Sequence, residues 1–243
     1  MQISFVPAAD PVAILVLPVE KDGLERVNWD AIAGLRAVGD AAAAAQRFTG
    51  EAGAIVELFV PSEGAVRHVL LLGVGGGAEP DWAKAGGALT ARLLTTATAV
   101  SVDLTGVSAT PEAVARFAGA AAQRAWRHDV YRTKLPDNAR PTLATLAISG
   151  APDGSEQAWG PESAVTDGMA LTRQLVTEPP NLLYPETFVE QVGAAIDGLG
   201  LEVTVLDEAA MRELGMGALL GVSAGSAREA RLLALKWSGG EEG

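Results

Sequence analysis

The sequence of 243 residues contains no cysteine and only two histidines, His68 and His128. Without cysteine the chain can form neither a disulfide nor a thiolate–metal site, and it has no cysteine nucleophile. The lack of cysteine also fits a reducing, cytoplasmic location. Neither histidine has a metal-ligand partner at helical spacing, so the sequence predicts no histidine-based metal site.

Positive charge is scarce as well, because 18 Lys and Arg stand against 30 Asp and Glu and the net charge is −12. Such a charge repels phosphate backbones and anionic lipid surfaces, so we expect neither nucleic acid nor a membrane as a partner. Long hydrophobic runs are missing too: Val12–Val19 is too short to span a bilayer and is predicted to be a buried strand. No basic leader precedes it, and the sequence predicts a soluble, cytoplasmic protein.

The sequence does contain a regular alternation of short β-rich runs and longer alanine-rich runs. Apolar runs such as Val66–Leu72 are typical of strands that are covered on both faces. The alternation predicts an α/β fold with a mostly parallel sheet flanked by helices. Strands are predicted at Gln2–Val6, Ala13–Leu17, Ala54–Val60, Val66–Leu72, Val100–Leu104, Leu143–Ile148, Glu202–Leu206 and Arg231–Trp237.

Capping residues and prolines predict where the helices begin and end. Pro179 and Pro180 are expected to stop a helix, because proline lacks an N–H and clashes with the preceding turn. The predicted helices begin after Asn28 (running through Ala41–Ala45 to about Arg47), near Pro80 or Asp81, at Pro111 after the cap Thr110, at Pro161, at Pro185, and after the cap Asp207.

A stretch rich in Gly, Pro, Ser and acid, Ser149–Ser163, is the best candidate for a domain boundary. We therefore predict an amino-terminal α/β domain over residues 1–150, a linker over 151–160, and the incomplete start of a second α/β domain over 161–243. This second domain would hold only about two strands, fewer than usual, and its apolar strand Leu232–Leu235 would be left as an exposed edge.

Two loops are candidates for ligand binding, and each also has a simpler structural explanation. The "GVGGG" loop, Gly73–Gly77, lies between a strand and a helix, where backbone N–H groups can bind phosphate. It lacks the lysine of a P-loop and is followed by the acidic Glu79, so a tight turn is the preferred interpretation. The small-residue loop Gly221–Arg228 could face a ligand or pack tightly.

The titratable residues form no complete site. His128 and Asp129 are a conceivable catalytic pair, but no nucleophile elbow accompanies them, and His68 is most simply a strand-edge residue. Asp207 and Glu208 are explained by helix capping and the helix dipole, and Glu178 is a candidate only by its position beside two prolines. The residues themselves therefore predict no catalytic, cofactor-binding or metal-binding group.

The segment "LVTEPPNLLYPETF", Leu175–Phe188, and the residues after it resemble the M17 leucyl aminopeptidase family, also called cytosol aminopeptidases. Thr177, and Glu229 with Ala230, depart from the family pattern and leave the local turn geometry open. The matching residues, in family order, are Glu178–Asn181, Pro185, Val203–Asp207, Met216–Val222, Gly225–Ser226 and Arg231–Gly239, with less specific matches at Phe48–Gly53, His68–Gly76, Lys84–Leu89 and Ala125–Lys134.

The resemblance implies a macro-domain-like amino-terminal α/β domain followed by the first elements of an α/β peptidase domain. It implies a cytosolic aminopeptidase that uses two divalent metals, zinc or manganese, to release amino-terminal residues from peptides, and that assembles as a homo-hexamer. The family's metal ligands and catalytic Lys and Arg lie in segments absent from this sequence, so no site residue is carried over. The chain alone is expected to be inactive and to supply assembly and scaffold elements.

Two earlier candidates are also reinterpreted by the resemblance. Gly73–Gly77 matches a family turn without a catalytic role, and His128 falls where the family commonly carries an aromatic residue. Two alternatives stay open. One is a stand-alone α/β module that binds a nucleotide-like ligand at the carboxyl ends of its strands through Gly73–Gly77. The other is a purely structural assembly domain whose partner is a carboxy-terminal half.

Overall fold

In the computed structural model, residues 1–10, 14–32, 35–62 and 65–240 are described. The chain divides into two units, Met1–Ala170 and Leu171–Gly243. The predicted domain limits at residues 150 and 160 differ from this division and stay a prediction, because a compact unit and an evolutionary domain need not coincide. No helix of the described part is long and apolar enough to cross a membrane.

The first unit is built on a six-stranded, mostly parallel sheet, which confirms the predicted fold class. Its strands are β1 (Gln2–Val6), β2 (Ile14–Val19), β3 (Ile55–Ser62), β4 (Ala65–Gly73), β5 (Ala99–Asp103) and β6 (Thr145–Ser149). Their order is β1-β6-β5-β2-β4-β3, and only β3, which lies at one edge beside β4, runs antiparallel. Ala13, which the prediction gave to the second strand, lies outside the described residues.

Helices cover both faces of this sheet, as the apolar strands predict. The helices are α1 (Arg36–Ala45), α2 (Glu79–Leu93), α3 (Pro111–Ala125) and α4 (Ser155–Thr177). Trp82 and Leu89 of α2 and Phe117 of α3 are at most 1% exposed and pack on one face. Ala43 of α1 packs on the other, together with Trp29 of a short 3₁₀ turn.

Two predicted helix starts are wrong. Asn28 caps no α-helix: the 3₁₀ turn Trp29–Ile32 follows it and α1 begins only at Arg36, while residues 33–34 lie outside the described part. Helix α4 begins at Ser155 and contains Pro161 in its interior. Trp159 packs against the core of the first unit. This burial stabilises the helical turn that precedes Pro161.

The second unit contains the end of α4, then α5 (Pro185–Ile196), β7 (Glu202–Leu206), α6 (Glu208–Glu213), α7 (Gly217–Ser223) and β8 (Leu232–Lys236). The predicted stop at Pro179 and the predicted start at Pro185 are confirmed. β7 and β8 pair antiparallel and form the only sheet that the structure describes in this unit. Val203, Val205 and Leu235 are each 44% exposed, so these apolar side chains are uncovered in the described structure, while the predicted exposed edge at Leu232–Leu235 stays a prediction.

Candidate functional site

The carboxyl ends of β2, β4 and β5 meet where ligand sites commonly form in open α/β sheets. β2 pairs with β4 up to Val19, but its pairing with β5 ends at Val16. β2 and β5 therefore separate beyond Val16. Pro18 lies in this part of β2, where its lack of an N–H removes no hydrogen bond to β5. We call the space between Val19–Glu20 and Asp103–Thr105 the switch-point crevice.

The protein's own side chains fill the switch-point crevice. The Asn28 amide donates to Asp103 Oδ2 at 3.0 Å and to Thr105 Oγ1 at 2.8 Å. The other oxygen of Asp103 accepts from the backbone N–H of Thr105 at 3.0 Å and from its hydroxyl at 2.8 Å. Asp103 is only 8% exposed, so its charge is stabilised by these donors and not by water.

A second carboxylate closes the mouth of the crevice. Glu20 Oε1 accepts from the backbone N–H of Ser108 at 2.9 Å, and Oε2 accepts from Arg26 at 2.9 Å. A Cβ built on Gly106 would lie 2.9 Å from the Arg26 oxygen and the Asn28 nitrogen, so the two loops touch backbone to backbone. The crevice thus presents two carboxylates whose oxygens already accept hydrogen bonds from the protein. Their negative charge disfavours the binding of a nucleotide phosphate.

The Gly73–Gly77 loop is a tight turn with no spare amide. Gly75 and Gly77 have φ of +60° and +84°, which only glycine adopts without strain. The N–H groups of residues 73 to 77 donate in turn to oxygens of Ala54, Val19, Gly50, Asp81 and Val74, at 2.8 to 3.2 Å. The Asp81 carboxylate occupies the position at Gly76 that a phosphate oxygen would need. The loop that the nucleotide-binding alternative depends on is therefore already satisfied internally.

Both histidine rings pack against aromatic side chains. His68 lies inside β4, not at its edge, and its ring stacks on Phe59 of β3 with centroids 4.5 Å apart. Its Nε2 lies 3.2 Å from Glu57 Oε2. His128 stacks with Trp126 and meets Tyr131 edge-on, while the Asp129 carboxylate pairs with Arg132 at 3.3 Å. His128 thus packs as an aromatic residue, and its pairing with Asp129 as a catalytic couple stays a prediction.

In the second unit the structure places the proline-rich turn and the small-residue loop. Glu178 directly follows α4, and Thr187 accepts from the backbone N–H of Tyr184 at 3.0 Å where α5 begins. Residues 221 to 223 of the small-residue loop belong to α7, so that part of the prediction is wrong. The Arg228 guanidinium lies 3.9 Å above the centre of the Tyr184 ring, a cation–π contact within this unit.

Ion pairs anchor the chain as it approaches β8. Asp207 caps α6 by accepting from the Ala210 N–H at 2.8 Å, which confirms its predicted role. Glu208 does more than interact with the helix dipole: its carboxylate accepts from the Ala230 N–H at 3.1 Å and from Arg212 at 2.7 Å. The bond from Ala230 lowers the pKa of Glu208, and Arg212 acts in the same direction.

The lowered pKa of Glu208 predicts a pH-dependent contribution to stability. A carboxylate with a depressed folded-state pKa stabilises the fold above its unfolded pKa, and this contribution is lost as the pH falls through the folded value. Glu208→Gln should therefore destabilise the second unit near pH 7 and differ little from wild type at strongly acidic pH. Urea unfolding of both proteins across pH, with Glu213→Gln of the same helix as the control, checks this. An equal loss at every pH would contradict it.

A groove of about 470 Å³ opens at the carboxyl ends of β1 and β6, in front of α4. Its apolar lining includes Phe5, Pro7, Ile148 and Pro152, and the exposed acids Asp153 and Glu156 lie among its lining residues. Within the described residues no three His, Cys, Asp or Glu side chains come together as a metal centre would require. We call this space the acidic groove.

Sequence reasoning missed the crevice network and the acidic groove. Asp103 ends a buried strand at the carboxyl edge of the sheet, and this position could have identified it. The groove had no such signal, because residues 151–160 were interpreted as a linker. In the structure the first part of this segment lines the groove and the rest is helical.

Family models match most of the chain. The N-terminal domain model of the cytosol aminopeptidase family matches residues 16–135, and the catalytic domain model of the same family matches residues 170–243. A probable cytosol aminopeptidase of Rhizobium johnstonii is 40% identical over 184 residues, which are 72% of this chain and 37% of that protein. One of Rhodopseudomonas palustris is 41% identical over 186 residues, 73% of this chain and 37% of that protein. The chain thus spans little more than a third of the length of these relatives.

Solved structures show the same fold. A mutant of tomato leucine aminopeptidase superposes with a TM-score of 0.74 at 21% identity, over 96% of this chain and 50% of that one. The bottromycin maturation enzyme BotP, in complex with manganese, gives a TM-score of 0.67 at 24% identity, over 81% of this chain and 42% of that one. At these identities the structures support the architecture alone.

Proposed function

Because the chain belongs to the cytosol aminopeptidase family, we propose that it forms the amino-terminal part of a leucyl-type aminopeptidase that releases amino-terminal residues from peptides. The observation that carries this proposal is the succession of the family's N-terminal and catalytic domain models along one chain. Relatives about 40% identical over most of the chain carry the name of this enzyme. The cytoplasm is the location that fits this family and the lack of cysteine.

The proposed enzyme would use two divalent metals, zinc or manganese. The described residues do not fit such a centre, because no cluster of three possible ligands exists among them. The carboxylates of the switch-point crevice, Asp103 and Glu20, are engaged by Asn28, Arg26 and backbone donors. The proposal therefore assigns neither metal binding nor catalysis to any described residue.

In this proposal the chain contributes folded scaffold and assembly surface. The first unit supplies an α/β core with a closed crevice, and the second supplies the turn, caps and ion pairs that lead into the peptidase domain. The chain by itself is then expected to have no peptidase activity, and the complete enzyme to be a homo-hexamer acting on peptides.

A chimera tests the proposal directly. The chain would replace the corresponding amino-terminal part of the Rhizobium johnstonii relative, and leucine amide hydrolysis would be measured with added manganese or zinc. We expect metal-dependent hydrolysis by the chimera and none by residues 1–243 alone, because the described part holds no metal centre. The intact relative serves as the positive control.

Two results would contradict the proposal. Metal-dependent hydrolysis by residues 1–243 alone would show that the chain contains its own active site. A chimera that folds and assembles like the intact relative but cleaves no amino-terminal residue would show that the chain does not belong to such an enzyme.

A further inference from the structure

One segment of this acidic protein is basic. Residues 124–140 contain five Arg and Lys against two Asp, whereas the whole chain has a net charge of −12. Arg127 is explained locally, because its guanidinium donates to the Arg124 and Trp126 carbonyls at the end of α3, where a cation is favourable. Arg132, Lys134 and Arg140 have no such role. We call residues 124–140 the basic segment.

The basic segment also exposes apolar surface. Val130 is 72% exposed and Tyr131 is 52% exposed, next to the exposed Arg132 and Lys134. Its two acids are already paired, Asp129 with Arg132 and Asp137 with Arg140. Two exposed apolar side chains beside surplus positive charge fit a site that combines apolar contacts with acidic side chains.

The acidic groove offers both kinds of contact within a lining that is mostly polar. Phe5, Ile148 and Pro152 line it, and Asp153 and Glu156 add two negative charges among its lining residues. The amino end of α4 opposes a cation there, but its partial charge is about +0.5 against two full carboxylates. The volume of about 470 Å³ admits more than one side chain.

The two surfaces begin at opposite ends of α3 and do not meet within one copy in the structure, since no residue of the basic segment lines the groove. A Cβ on Gly154 would lie 3.6 Å from Pro111, so the groove adjoins the first residue of α3. The basic segment begins at the other end of this helix of 15 residues, roughly 22 Å away. A contact between these surfaces must therefore join two molecules.

We propose that the basic segment of one copy docks in the acidic groove of a second copy, with Val130 and Tyr131 inside and Lys134 facing Asp153 and Glu156. This inference deepens the assembly part of the proposed function and rests on it. Such a contact is head-to-tail, so each copy retains a free segment and a free groove, and repetition builds a ring or a filament.

Complementary variants of the full chain test the proposal. Asp153→Asn with Glu156→Gln removes the two negative charges of the groove and leaves the basic segment intact. Val130→Glu with Lys134→Glu disrupts the basic segment and leaves the groove intact. We expect wild type to sediment as an oligomer and each variant alone as a monomer. An equimolar mixture should give a one-to-one dimer, because only one productive pair of surfaces remains. Val66→Glu with Lys84→Glu, matched in residue type, charge change and exposure, should assemble like wild type.

Each outcome is decisive once circular dichroism shows that the variants are folded. Variants that assemble like wild type would overturn the assignment of these surfaces while leaving assembly itself intact. A mixture that stays monomeric would overturn the head-to-tail contact. A monomeric wild type would overturn the proposal and the assembly on which it rests, whereas the peptidase proposal is judged separately by the chimera.

Discussion

Gly86→Ala is expected to destabilise the first unit by about 3 kcal/mol or more, because the added methyl group has no room. Its Cβ would lie 2.1 Å from the Phe117 carbonyl oxygen and 3.0 Å from the carbonyl carbon. Both atoms belong to the backbone of α3, so only a separation of α2 from α3 would relieve the overlap. That separation would also loosen the packing of Trp82 against Phe117, whose rings lie 6.0 Å apart.

The neighbouring glycine provides a matched control. A Cβ on Gly87 meets nothing within 4 Å, so alanine there should stabilise the helix by about 0.5–1 kcal/mol. The two substitutions in one helix should therefore have opposite signs. Urea unfolding followed by circular dichroism measures both. A Gly86→Ala protein as stable as wild type would show that α2 and α3 are not in backbone contact.

Gly73→Ala should have a similarly large effect, about 3 kcal/mol or more, in the Gly73–Gly77 turn. The new Cβ would lie 2.0 Å from the Glu51 carbonyl oxygen and 2.7 Å from the Gly50 carbonyl carbon. Gly73 also exchanges backbone hydrogen bonds with Gly53 and Ala54 at 2.8 Å, so the strand end cannot shift without breaking them.

Gly76→Ala, three residues along the same turn, is the control. The nearest atom to its Cβ is Asp81 Oδ2 at 3.7 Å, an ordinary contact, and the change in unfolding free energy should stay within about 0.5 kcal/mol. The overlap at Gly73 exists without any ligand, so a Gly73→Ala protein as stable as Gly76→Ala would contradict the backbone contact. A phosphate ligand at this turn would show instead as a rise in the unfolding temperature when it is added. Thermal unfolding of the two variants, without and with ADP-ribose, distinguishes these cases, and we expect no shift from ADP-ribose in any of them.

The closed crevice and the internally hydrogen-bonded Gly73–Gly77 turn both bear on whether the first unit binds a ligand. The carboxyl ends of β2, β4 and β5 are where an α/β module of this topology would bind a ligand. Here the polar groups of Asn28, Asp103 and Asp81 form hydrogen bonds within the protein itself. The first unit is therefore poorly suited to recognise a phosphate at this edge of the sheet.

Local patterns in the sequence predicted most elements of secondary structure. Thr110 caps α3, Pro185 begins α5, and the strand Glu202–Leu206 has the predicted limits. In these places neighbouring residues determine the backbone: a cap supplies the missing acceptor and a proline removes a donor. The family resemblance was also readable, because the motifs of the last third follow one another in order.

The prediction failed where a distant contact outweighed the local signal. Asn28 has the character of a helix cap, yet its amide is used by Asp103, which lies 75 residues away. Pro161 looks like a helix start, but burial of Trp159 extends the helix ahead of it. Glu208 was explained by the helix dipole alone, whereas its partner Ala230 lies 22 residues away.

By itself, the sequence determined the α/β class, the mostly parallel sheet and the family, because hydrophobic periodicity, caps and motifs are properties of adjacent residues. Only the tertiary structure decided that the crevice is closed and that the amides of the Gly73–Gly77 turn are hydrogen-bonded within the protein. It also placed the acidic groove and the basic segment at opposite ends of α3. Each of these depends on hydrogen bonds or surfaces that join residues far apart along the chain, and the folded core sets their distances.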